Sequence, residues 1–71
     1  MKPPKIHFMS NIRTLRVKHG LNKRELAKEL KTNIRQVFRW EVGTSLPTIP
    51  HAIGMSRLFG ITLDQLVFEK M

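Results

Sequence analysis

Arg35 and Arg39 stand four residues apart, with Ile34 and Phe38 beside them, in the stretch from Ile34 to Glu41. Wound as a helix at about 100° per residue, this stretch puts those four side chains on one face and Gln36, Val37 and Trp40 on the other. Val37 and Trp40 suit a core, so the opposite face points outward. It carries two arginines, two large apolar groups and no acid. The planar fork of arginine matches the O6 and N7 acceptors of guanine, and an apolar group can touch the methyl of thymine. The alternative is that both arginines are merely solvated and that Phe38 folds onto a neighbouring loop. For an isolated helix that alternative would be preferred, so the surrounding elements have to decide.

The charge distribution points the same way. Of 71 residues, 13 are Lys or Arg and 5 are Asp or Glu, a formal net charge of +8. Residues 1–39 hold 11 of the Lys/Arg against Glu25 and Glu29, which is +9; residues 40–71 hold Arg57 and Lys70 against Glu41, Asp64 and Glu69, which is −1. One part of the chain is strongly cationic and fits a polyanionic partner, although a solvated basic surface would look the same.

Short helices account for nearly all of the chain. A first helix fits Ser10 to Lys18, with Ser10 as N-cap and Ile12 and Leu15 facing inward. Gly20 ends it in the left-handed conformation, with Leu21 packing back. Asn22 and Glu25 have the spacing of a capping box, followed by the apolar residues Leu26 and Leu30 with the small Ala27 beside them. The pattern breaks at Lys31-Thr32. Asn33 and Gln36 repeat the capping-box spacing and open the third helix, which Gly43 stops. So short a link between helices two and three forces a tight turn, as in a helix-turn-helix. Thr48 caps a fourth helix with Pro50 in its first turn and Gly54 inside it, where close packing of another helix would explain a glycine. After Gly60, Thr62 and Gln65 open a fifth helix reaching about Glu69. No alternating segment is long enough for a strand. The expected fold is all-α: five short helices in a single domain over residues 9–71, preceded by a flexible basic arm over residues 1–8 that carries Lys2 and Lys5, which could reach a minor groove or a phosphate.

Other chemistry finds little support. His7, His19 and His51 are scattered without metal-ligand spacing, and no nucleophilic triad or glycine-rich phosphate loop occurs. There is no cysteine. No enzyme activity, metal or cofactor is expected. The longest apolar run is Leu66-Val67-Phe68, far short of a membrane span, and no signal peptide is evident, so a cytoplasmic protein is expected. Met9 and Met55 are read as core fillers.

The ordered set Ile12, Leu15 and Arg16, Gly20-Leu21, Glu25-Leu26-Ala27 and Leu30, Val37, Trp40-Glu41, Gly43, Pro47, Phe59-Gly60-Ile61-Thr62-Leu63-Asp64 and Leu66 resembles the phage-repressor and Cro-type (XRE-like) helix-turn-helix domains. The resemblance spans residues 9–67 and implies a lambda-repressor-like fold. It also implies that the helix following Asn33 is the recognition helix, with positions 34, 35, 38 and 39 at base edges. Lys23 matches a phosphate-contacting position, and the amides around Gly43–Ser45, Thr44 among them, match further phosphate contacts. Arg16 and Glu41 match a partly buried salt bridge of structural role. The chain departs from the family at Lys23, where glutamine is common, at Lys31 in place of the turn glycine, at Phe38 in place of a small or polar residue, and at Ser56 in place of alanine. The two lysines would add phosphate attraction; Phe38 would either touch a thymine methyl or bind protein.

The resemblance thus implies a sequence-specific regulator of transcription, expected to be a repressor, with Lys23, Lys31, Asn33, Ile34, Arg35, Phe38, Arg39 and Thr44 toward double-stranded DNA. Of Leu63, Val67, Phe68 and Met71 some complete the core, with Phe68 and Met71 left as surplus; in this family the last helix often forms a two-fold dimer, so a homodimer through the C-terminal helix and a near-palindromic operator are expected. An antitoxin or other protein-interaction module using the same fold is the alternative, with Ile34 and Phe38 holding a protein partner.

Overall fold

The computed structural model describes residues 6–71. Five helices follow one another without a strand among the described residues: α1, Phe8–Lys18; α2, Lys23–Glu29; α3, Ile34–Val42; α4, Ile49–Phe59; and α5, Leu63–Phe68. No helix there is long and apolar enough to cross a membrane. Lys2 and Lys5 of the expected arm lie outside the described residues.

Local chemistry explains most of the helix ends. At α2, the Asn22 side chain accepts from the Glu25 amide at 2.7 Å and the Glu25 carboxylate accepts from the Asn22 amide at 2.9 Å. Thr62 and Gln65 make the same reciprocal pair at α5. Asn33 caps α3 by accepting from the Gln36 amide at 3.0 Å, but the Gln36 side chain makes no return bond, so this end has half of the expected box. Leu21 donates its amide to the Arg16 carbonyl and Gly20 to that of Val17, a Schellman ending for α1.

Helix α1 begins two residues before the expected start. Ser10 is not its N-cap; its hydroxyl donates back to the His7 carbonyl at 3.0 Å. The helix starts at Phe8 because Phe8 is buried in the core, while the His7 amide donates to the Val67 carbonyl at 2.8 Å. Residues 7 and 8 therefore belong to the folded body rather than to an arm.

The core comprises Phe8, Ile12 and Leu15 of α1, Leu26 and Ala27 of α2 with its C-cap Leu30, Val37 and Trp40 of α3, Met55 and Phe59 of α4, and Leu66 of α5. Met55 fills it; Met9 does not, being largely exposed. Gly54 lets α4 pack against the end of α2: a Cβ there would lie 3.1 Å from Cδ2 of Leu30. Asn11 is the one buried polar side chain among the described residues. Its Nδ2 donates to the carbonyls of Leu66 at 2.8 Å and Glu69 at 2.6 Å, tying the end of α5 to α1. The Ser56 hydroxyl donates to the Ile61 carbonyl at 2.6 Å, which gives this departure from alanine a role in securing the α4–α5 turn.

Candidate nucleic-acid interface

Helix α3 is held at its start, at its end and on its flank. At its start, α2 ends in a second Schellman turn: Lys31 donates its amide to Lys28 and Thr32 to Ala27, at 3.2 and 2.8 Å. This turn requires Lys31 to adopt φ 56°, a left-handed conformation that favours glycine. At its end, Gly43 has φ 84°, and the sulfur of Met9 fills the space where a side chain would begin. On its flank, the Arg16 guanidinium grips Glu41 with two bonds, Nε to Oε2 at 2.9 Å and Nη2 to Oε1 at 3.2 Å. A third, from Nη1 to the Leu21 carbonyl at 2.9 Å, fastens the same arginine to the α1–α2 turn.

With Val37 and Trp40 buried, the opposite side of α3 faces outward as the periodicity predicts. Ile34 is 45% exposed and Phe38 52%, large fractions for apolar groups held on one helix face. Arg35 is exposed and Arg39 half-buried. Lys31 and Asn33 are exposed at the head of the helix and Thr44 just beyond its end.

Lys23 enters this surface from α2, its Nζ lying 5.8 Å from the centre of the Phe38 ring. Phe38 is therefore not folded onto a loop. It forms one wall of an open hollow of about 250 Å³ lined by Arg13, Arg16, Lys23, Phe38, Glu41 and Val42. Arg13 was not singled out from the sequence. Its place three residues before Arg16, on the same side of a helix, is the signal that could have found it.

The segment after α3 folds back on the helix. The amides of Gly43, Thr44 and Ser45 all turn inward to the Arg39 carbonyl, those of Thr44 and Ser45 at 3.0 and 3.5 Å. They close the helix, and Thr44 is exposed just beyond it. Beyond it, Thr48 caps α4, and the His51 ring rests against Trp40 with centroids 5.3 Å apart.

A helix-turn-helix family model matches residues 12–66, most of the chain, including α3 and the turn before it. The chain belongs to the helix-turn-helix family, of the phage-repressor and Cro type. No curated protein matches it in sequence. Among solved structures this helix-turn-helix chain is similar to a transcriptional regulator from Listeria innocua, with 28% identity and a TM-score of 0.84 over 89% of this chain. It spans 59% of the length of that protein. The P22 c2 repressor protein, solved in complex with a synthetic operator, shares 19% identity at a TM-score of 0.83, covering 89% of this chain and 96% of the repressor. A hypothetical transcription factor from Neisseria gives 20% identity and a TM-score of 0.77, over 96% of this chain and 87% of that one. The last two likenesses establish the fold, a lambda-repressor-like arrangement of five helices.

Proposed function

We propose that this helix-turn-helix protein binds double-stranded DNA sequence-specifically in the cytoplasm and regulates transcription, acting as a repressor by occluding a promoter. The observation that carries this reading is the outward face of α3, which offers Arg35, Arg39, Ile34 and Phe38 with no acid among them. Arg35 and Arg39 would pair with guanine edges and Ile34 would meet a thymine methyl in the major groove. Lys23 and Lys31 would hold phosphates on either side, with Asn33 and the Thr44 hydroxyl at the two ends of the helix. Two of the similar structures, a transcriptional regulator and a repressor solved with a synthetic operator, support the reading.

In this reading two copies pair through α5, where Leu63, Phe68 and Met71 are about two-fifths exposed. A two-fold pair would set its recognition helices about 34 Å apart, one turn of DNA, and favour a near-palindromic operator. The exposure of Ile34 and Phe38 also favours a second reading, an antitoxin-like module that meets a protein partner through the same face. Selection from a random duplex library tests the proposal. A recurring motif with two half-sites is the expected result, and a pool without any motif would contradict it.

A further inference from the structure

The hollow beside α3 gathers more positive charge than base recognition needs. Arg13 of α1, Arg16 of α1 and Lys23 of α2 line it together with Glu41, and the floor includes the Phe38 ring. Arg16 spends both carboxylate-facing nitrogens on Glu41, so those two charges cancel locally. Arg13 and Lys23 have no acid within salt-bridge reach among the described residues, where the Arg16–Glu41 pair is the one bridge. Two unpaired cations on separate helices thus line one hollow with a single aromatic ring. A lysine in the open would sample many rotamers, but an ammonium over a ring face is held there by the ring's quadrupole. The 5.8 Å separation of Lys23 Nζ from the ring centre lies within that range.

We propose that Arg13, Lys23 and Phe38 form one clasp for a phosphodiester of the DNA backbone. Arg13 and Lys23 contact the phosphate from two sides. Phe38 is a positioning residue that acts through Lys23, so its chief part is to place that charge rather than to touch a base. This rests on the DNA-binding reading of α3, to which it adds Arg13 as a contact and a backbone role for Phe38. An acidic peptide would need several cations spaced along a groove, whereas the hollow offers two unpaired cations, the scale of a single phosphate.

The salt dependence of binding separates this role from others, because each neutralised phosphate contributes about −0.9 to the slope of log K against log salt. The full chain is titrated by fluorescence anisotropy against a random-sequence 20-base-pair duplex over a range of salt. Arg13→Ala and Lys23→Met are each expected to flatten the slope by part of the roughly 0.9 that one phosphate contributes. Phe38→Leu, which keeps an apolar side chain, is expected to flatten it in the same direction as Lys23→Met, and the double variant no further than Lys23→Met alone. Lys70→Met, outside the hollow, is expected to leave it unchanged. Circular dichroism melts confirm that each variant is folded. An unchanged slope for Phe38→Leu or Arg13→Ala, or an equal flattening for Lys70→Met, overturns the clasp while leaving DNA binding intact. Failure of the unsubstituted chain to bind the duplex at low salt overturns the DNA-binding reading itself, and the clasp with it.

Discussion

Arg16 and Glu41 form a two-pronged ion pair across the α1–α3 contact, with side-chain exposures of 11% and 5%. Two charges this far from water depend on each other. Removing one leaves the other buried and unpaired, a loss of about 3–5 kcal/mol in fully buried cases. Arg16→Met and Glu41→Gln are each expected to cost about 3 kcal/mol in urea denaturation, a large share of what so small a domain has. The double variant Arg16→Met/Glu41→Leu is expected to recover most of that loss, since packed apolar groups can replace a buried pair. Additive losses would contradict the coupling.

Asn11 makes a different kind of tie. Its amide nitrogen serves two carbonyls at the end of α5, and it is the one buried polar side chain among the described residues. Asn11→Leu keeps the bulk but leaves those carbonyls without a donor, a cost of about 1–3 kcal/mol. Hydrogen exchange is expected to speed up in α5 while α2 and α3 stay protected. Unchanged exchange in α5 would mean that the helix is held by packing alone.

Lys31 has φ 56° in the turn before α3. A side chain there is strained relative to glycine, so Lys31→Gly is expected to stabilise the fold by about 0.5–1 kcal/mol, read as a higher urea midpoint. The same change removes a cation from the proposed DNA surface and is expected to weaken duplex binding at low salt. The departure from the family's glycine then has a functional gain to set against its conformational cost. A lower midpoint would contradict the strain.

These two residues show what sequence can and cannot convey. Helix ends were legible where the chemistry is local: Asn22 with Glu25, Thr62 with Gln65, and the glycines after α1, α3 and α4 all act within a few residues. The turn at Lys31, which stands in place of the family's glycine, was legible for the same reason. The inward and outward faces of α3 followed from its periodicity. Asn11 was not legible, because its partners lie 55 and 58 residues away. Nor was the start of α1, which depends on Phe8 reaching the core and on the Val67 carbonyl. The meeting of Lys23 with Phe38 depends on how α2 crosses α3, which residue spacing within either helix does not contain. The turning of the Gly43, Thr44 and Ser45 amides toward one carbonyl was not legible, because a glycine stop does not reveal it.

Arg39 should distinguish base contact from mere charge. Arg39→Ala is expected to weaken a selected duplex by about 1–3 kcal/mol and to relax the preference at one base position. Competition against duplexes varied at single positions checks this. Equal weakening on selected and random DNA would assign Arg39 to the backbone instead.

The most direct test of the account compares the duplex recovered by selection with a shuffled version of it, by anisotropy at physiological salt. The account predicts a preference of about 10³-fold or more for the selected duplex. Equal affinity for both, rising and falling together with salt, would contradict sequence-specific recognition by α3.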